Sequence, residues 1–171
     1  MSFSKVHDIG AYLKGFNAFN PIEVTAATTT EDGIEINGKI IDRRVDGASV
    51  SNVFLSGKVI IAYDGALTTG KTLTVASNVQ HSDTTASTAF ADLADRDGST
   101  GVSVVETNST GGNGTPSGVL EFDLRLDSAK RYLRIQVTPT LSATATDTVD
   151  MGGVTVLGMG DFIPAQASSL V

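Results

Sequence analysis

Val119-Leu120-Glu121-Phe122-Asp123-Leu124-Arg125-Leu126, then Asp127-Ser128-Ala129-Lys130, then Leu133-Arg134-Ile135-Gln136-Val137-Thr138, is the stretch that decides the fold. Leu120, Phe122, Leu124 and Leu126 alternate with Glu121, Asp123 and Arg125. After the polar break, Leu133, Ile135 and Val137 alternate with Arg134, Gln136 and Thr138. Strand side chains point to opposite faces in turn, so a period of two gives two half-buried strands joined by a tight connection. One face is oily and the other wet, as in a packed sandwich of antiparallel sheets.

Working outward, the rest of the chain repeats this grammar. Ile22 to Thr25 reads as a strand. Asp32-Gly33 and Asn37-Gly38 bracket Ile34-Glu35-Ile36, and Lys39 to Asp42 follows; Asp-Gly and Asn-Gly suit the positive φ of hairpin turns. Asn52 to Leu55 is a short strand. Val59 to Tyr63 is a continuous apolar run, which predicts a central strand covered on both faces. Thr72 to Gln80 alternates over a long strand, Val102 to Glu106 gives another, and Val154 to Leu157 the last. Phe90 and Leu93, within Ser87 to Asp95, fit either a helical turn or a strand. Asn108 to Ser117 has a loop composition. Asp161 to Val171 reads as a tail. Many short strands with turns between them predict an all-β fold: an antiparallel β-sandwich, jelly-roll-like, over residues 21–171. Residues 1–20 read as an irregular N-terminal arm, because Gly10 and Gly15 interrupt the helical spacing of Ile9, Leu13 and Phe16. An arm carrying Phe3, Tyr12, Phe16 and Phe19 calls for a docking surface, so these four are the candidate partner-contact residues.

Composition sets the outer bounds. The 171 residues suit one domain with a proper core, with 40% apolar and 18% charged residues and 18 glycines. Cysteine is absent, which excludes a disulfide framework, a thiolate zinc site and a cysteine nucleophile. The net charge of -7 argues against wrapping nucleic acid or binding an anionic membrane. With no secretory signal or apolar spanning run, the expectation is synthesis in a cytoplasm.

Motifs for chemistry are weak. Gly65-Ala66-Leu67-Thr68-Thr69-Gly70-Lys71-Thr72 satisfies the P-loop pattern. A P-loop needs a helix directly after its lysine to present free N–H groups to phosphate, whereas Thr72 to Gln80 has strand periodicity. The segment is strand, turn, strand. His7 and His81 stand apart from any nucleophile elbow. A paired-carboxylate glycosidase would need a sugar-binding aromatic cleft, and only 6% of the residues are aromatic. Asp92, Asp95, Asp97 and Gly98 form a broken calcium loop without its distal glutamate. Asn108-Ser109-Thr110 and Asn113-Gly114-Thr115 match the glycosylation pattern in a loop where such triplets arise by composition. The residues specify no catalytic group, no metal site and no cofactor; the chain reads as a non-enzyme.

Several strings in order, Gly38-Lys39-Ile40-Ile41-Asp42-Arg43, Gly70 to Val75, Val79 to Asp83, Phe90 to Leu93, Lys130 to Thr138 and Gly153 to Gly158, are similar to the small capsid decoration proteins of tailed bacteriophages, also called cement or auxiliary head proteins. The resemblance spans residues 38 to 161. It implies a β-sandwich or jelly-roll body on the exterior of a virion, often as trimers at three-fold positions, with the major capsid protein and other copies of itself as partners. It implies that neighbouring capsid subunits are cemented against genome pressure, with the protein made in a bacterial cytoplasm. Two other readings compete. One is a carbohydrate- or receptor-binding module of a head fibre or tail, with Tyr63, Phe90 and Tyr132 as its candidate aromatics. The other is a tail-tube or head-completion subunit.

Overall fold

The period-two segments become paired strands in a computed structural model that describes residues 13–27, 31–44, 53–93, 104–107, 114–142 and 146–159. The strands are β1 (Leu13–Thr25), β2 (Ile36–Asn37), β3 (Ile41–Asp42), β4 (Phe54–Ala66), β5 (Thr72–Ser82), β6 (Ala91–Asp92), β7 (Val104–Thr107), β8 (Ser117–Arg125), β9 (Tyr132–Leu141) and β10 (Thr148–Met159). All the pairings are antiparallel.

The pairing is nested. β1 pairs β10, β2 and β3 pair β9, β4 pairs β8, and β5 pairs β6 and β7. That is one long antiparallel hairpin of chain, rolled up so that β10 also meets β4 and β9 also meets β5. The result is a four-stranded sheet, β1-β10-β4-β8, facing a second sheet ordered β2-β9-β5-β6, with β3 and β7 as further margins. This is a jelly-roll sandwich, two interlocked Greek keys.

The core lies between the sheets. Val59, Ile61, Leu120 and Leu124 come from the four-stranded sheet, and Leu73, Val75, Leu133 and Ile135 from the other; all are buried. Each such side chain contributes about 1.5–3 kcal/mol on burial. Two glycines pin the register of the four-stranded sheet. Gly153 stands opposite Phe19, and Gly118 opposite Tyr63. In each pair the aromatic ring occupies the space that a Cβ would need.

Differences from the sequence reading have local causes. Residues 13–20, assigned above to the arm, are the first part of β1. Register shifts between Asn17 and Phe19, and between Phe19 and Ile22, place Ala18 and Phe19 both inward and hide the alternation. Asn37-Gly38 is no hairpin turn. Gly38 donates its N–H to Ile135 O at 2.8 Å, while Lys39 N–H bonds Ala18 O at 2.7 Å, so the chain here ties the two sheets together. Any Cβ at Gly38 would strike both carbonyl oxygens. Asp32-Gly33 does make a turn, with Gly33 at φ +71°. Val59 to Tyr63 alternates rather than being covered twice: Ile60 is half-buried and Ala62 exposed. Ser87–Ala89 is a single 3-10 turn, after which Ala91 and Asp92 form β6.

Candidate functional site

The outward faces of the two sheets are the only broad surfaces that the described strands offer, and they differ in kind. On the six-stranded sheet, outward polar side chains bond to one another. Arg134 donates through Nε to Gln80 Oε1 at 3.2 Å, and its Nη2 reaches the same oxygen. The Arg134 guanidinium lies 4.6 Å from the centre of the Phe90 ring. Gln80 and Asn78 both donate to Asp92 Oδ1, at 2.9 and 2.7 Å. These two bonds hold the Asp92 carboxyl below its ordinary pKa, Gln80 contributing more. Asn78 also donates to Gln136, which in turn donates to Glu35 and Asn37 at 2.6 and 2.8 Å. Arg134 and Gln136 are buried by this arrangement although they point outward. Asn78 Oδ1 is buried and has no partner.

At the margin of the same sheet, Arg43 is fully buried. Its guanidinium donates to the carbonyls of Phe54, Leu126, Ala129 and Lys130. It thereby closes the corner where β3, the start of β4 and the β8–β9 connection meet. Burial pulls the Arg43 pKa down, and Asp127 opposes the shift; an arginine stays charged regardless. Beside it, Arg131 forks onto the Asp42 carboxylate at 2.7–3.2 Å. That bond lowers the Asp42 pKa. His81 Nδ1 accepts the Lys130 N–H at 3.3 Å. Burial, then the charge of Lys130, pushes its pKa down.

The four-stranded sheet presents a different face. Its outward side chains form rows across the strands. Glu23, Asp150, Asp64 and Ser117 make the first; Gly152, Ala62 and Val119 the second; Asn17, Val154, Ile60 and Glu121 the third. Gly15, Val156, Lys58 and Asp123 make the fourth, and Leu13, Gly158, Ser56 and Arg125 the fifth. Val119, Val154 and Leu13 are 58%, 47% and 45% exposed. A ridge of Ile60, Val154 and Val156 therefore stands between two troughs. One, of about 450 Å³, is floored at Gly152 and Ala62 and walled by Pro21. The other, of about 520 Å³, lies over Gly158 and Ser56 beneath Leu13. Lys58 Nζ pairs with Glu121 at 3.1 Å and Asp123 at 3.4 Å along the ridge.

The residues singled out from sequence scatter. Phe19 belongs to the core, and Phe16 packs edge-on against Phe54 with ring centres 6.2 Å apart. Both are committed to the sandwich. Phe3, Tyr12 and His7 lie outside the described residues, as do Asp95, Asp97, Gly98, the Asn108 triplet and Asn113. Tyr63 is buried; Phe90 and Tyr132 are half-buried under the guanidinium groups of Arg134 and Arg131. The P-loop match is a strand–turn–strand, with Gly70 at φ +75° and Lys71 N–H bonded to Thr68 O at 3.0 Å. The buried Asp147 holds this turn by accepting from Thr68 N and Oγ1. Among the described residues no group of three or more His, Cys, Asp or Glu side chains is placed to hold a metal ion. What sequence reasoning missed is the open apolar face of the four-stranded sheet. Its signal was there: Ile60, Val154 and Val156 are apolar at positions that a half-wet strand fills with polar residues.

No family model and no curated protein matches the chain. Among solved structures it is similar to VP2 of infectious bursal disease virus in a subviral particle, with 8% identity and a TM-score of 0.46, covering 89% of this chain and 34% of that one. It is likewise similar to a point-mutant VP2 of that virus in derived T=1 particles, with 9% identity and a TM-score of 0.43, covering 89% of this chain and 32% of that one. The chain thus spans about a third of the length of these proteins. The matches correct the resemblance drawn from the residue strings. The solved structures that match are of VP2 of infectious bursal disease virus, not of a decoration, cement or auxiliary head protein of a tailed bacteriophage. The roles implied with it fall too: the cementing of neighbouring subunits, the major capsid protein as a separate partner, and the trimer on a phage head. The strings misled because they are short runs of strand and connection, Gly153-Val154-Thr155-Val156 lying in the middle of β10, and such runs recur in antiparallel sandwiches generally.

Proposed function

We propose that this chain is a structural, non-catalytic coat protein or coat domain of a virus-like particle, a jelly roll that builds the shell by packing against its neighbours. The observation that carries the reading is the open face of the four-stranded sheet, where Val119, Val154 and Leu13 are exposed on rigid paired strands. A contiguous apolar face is costly in water and marks a surface meant to be covered. The strand order supports it by analogy alone, since jelly rolls serve as coat domains and also as lectins. The chain's chemistry agrees: Arg43 bonds to main-chain carbonyls, Asp147 to Thr68, and Gln136 to Asn78, Glu35 and Asn37, so the fold itself consumes these buried polar groups. The test is electron microscopy and sedimentation of the purified chain across salt and concentration. Ordered particles or discrete oligomers are expected; a chain that stays monomeric at several hundred micromolar in every buffer would overturn the reading.

A second reading, a glycan- or receptor-binding module, has one observation in its favour. The row Phe90, Arg134, Gln80, Asp92 and Asn78 combines an aromatic ring, amides and a carboxylate on one outer face, with Asn78 Oδ1 unpartnered. Binding on a glycan array, lost in Asp92→Ala, is the result that would favour it.

A further inference from the structure

We propose that the outer face of the four-stranded sheet receives a second copy of this chain, strands antiparallel across a two-fold axis, with Val156 of each copy seated over Gly152 of the other. The inference rests on the coat reading and deepens it by naming the surface and its geometry.

Three features select this occupant. The first is shape. An axis through the third row, perpendicular to the strands, lays the second row of one copy over the fourth row of the other. The Val156 ridge then meets the trough at Gly152, where the only atom near an added Cβ is Pro21 Cγ at 3.9 Å. Val154 and Ile60 meet their own counterparts at the axis, flanked by Asn17 and Glu121, which also meet theirs. A two-fold interface is self-complementary in this sense, each patch being its own partner.

The second feature is charge. The other two-fold arrangement, with its axis along the strands, would stack Asp64 and Asp150 of one copy on Asp150 and Asp64 of the other. Like charges directly opposed are unfavourable. The antiparallel arrangement instead lays the carboxylate row over the row of Leu13, Gly158, Ser56 and Arg125, one row from Lys58. Glu23, Asp150 and Asp64 then lie over Leu13, Gly158 and Ser56 and not over one another, and the Glu121 pair at the margin of the axis row keeps Lys58 at 3.1 Å within each copy.

The third is area. Four strands at about 4.8 Å spacing, by five rows about 7 Å apart, cover roughly 600 Å². Two such faces bury roughly 1,200 Å² in total, the lower end of what a specific interface needs. Packed sheets keep their strands within about 30° of alignment, so the correspondence is closest in the rows next to the axis, where Val154, Val156 and Gly152 lie.

Sedimentation velocity of the full chain from about 1 to 300 μM, with two variants, tests the proposal. Val154→Arg opposes two arginines at the axis. Gly152→Thr fills the trough in open space and with a good strand residue, so it leaves the fold intact. Wild type should self-associate with a dimer in its distribution, and each variant should weaken dimerisation at least tenfold with an unchanged melting temperature. If wild type assembles and both variants assemble equally well, this face is wrong and the coat reading stands. If wild type stays monomeric throughout, both fall. A monomer in which hydrogen exchange shows β4 and β10 shielded by residues 1–12 or 160–171 overturns the second copy in favour of the chain's own ends.

Discussion

The two outer faces of the sandwich treat polar groups in opposite ways. On the six-stranded side, Gln80, Asn78, Asp92, Gln136 and Arg134 bond to one another, leaving Asn78 Oδ1 as the one orphan of the group, and Arg43 at the margin gathers four main-chain carbonyls. On the four-stranded side the middle rows offer Val119, Val154, Ile60 and Val156 to solvent, beside the single ion-paired group of Lys58, Glu121 and Asp123. A face whose polar groups are already paired gains little from a partner, because docking would exchange good bonds for equal ones. An apolar face gains from being covered. The molecule has in effect one finished side and one unfinished side.

Variants can break or sharpen that contrast. The largest effect belongs to Arg43→Met, which keeps bulk but orphans the carbonyls of Phe54, Leu126, Ala129 and Lys130. Each buried, unsatisfied group costs about 1–3 kcal/mol, so urea unfolding should show a loss of about 3–5 kcal/mol. A loss below 1 kcal/mol would show that the corner is held by something else. Gly153→Val comes next, since its side chain must displace the Phe19 ring; overpacking of about 1–3 kcal/mol is expected in the same assay. On the finished side, Gln136→Leu strands Glu35, Asn37 and Asn78, and should cost about 1–3 kcal/mol without altering the sedimentation profile. Val154→Arg should do the reverse, changing stability by less than about 0.5 kcal/mol while weakening dimerisation at least tenfold.

The smallest effect is a pH dependence. His81 has its pKa depressed in the folded chain, so the unfolded chain takes up the proton first. Stability should be flat above the ordinary histidine value of 6.5 and decline as pH falls below it toward the folded value. His81→Gln should flatten this segment of the curve, and a wild-type profile without the downturn would contradict the assignment. Asp42, held below its ordinary value by Arg131, titrates only at much lower pH and leaves a separate acid limb.

Much of the fold was legible because inward and outward residues contrast. Leu120 to Leu126 and Leu133 to Val137 alternate cleanly, and both became strands at those positions. The P-loop pattern was dismissed on the same ground, and Thr72–Ser82 is indeed a strand. Legibility failed where geometry breaks the period. In β1, two register shifts put Ala18 and Phe19 on the same side, so the sequence there shows no alternation. In β10, Gly152 and Gly153 carry no side chains to signal a face; one is left open and the other is filled by Phe19. The apolar outer face was missed for a subtler reason. A strand that is apolar on both sides reads as covered on both sides, and sequence alone says nothing about whether that cover comes from the same chain.

The nested pairing has a consequence for biosynthesis. Of the described strands β1 leaves the ribosome first and β10 last, yet Gly15 must meet Val156 and Val24 must meet Val149 before the four-stranded sheet can close. At roughly 5–20 residues per second, the interval between their synthesis is about 6–28 s. Throughout that time Phe16 and Phe19 have no finished strand to lie on, and a chain halted before β10 holds a half-built sheet with an exposed backbone edge. Slow codons late in the message, or premature termination near residue 148, should therefore drive nascent chains into aggregates far more readily than the same delays placed after β10.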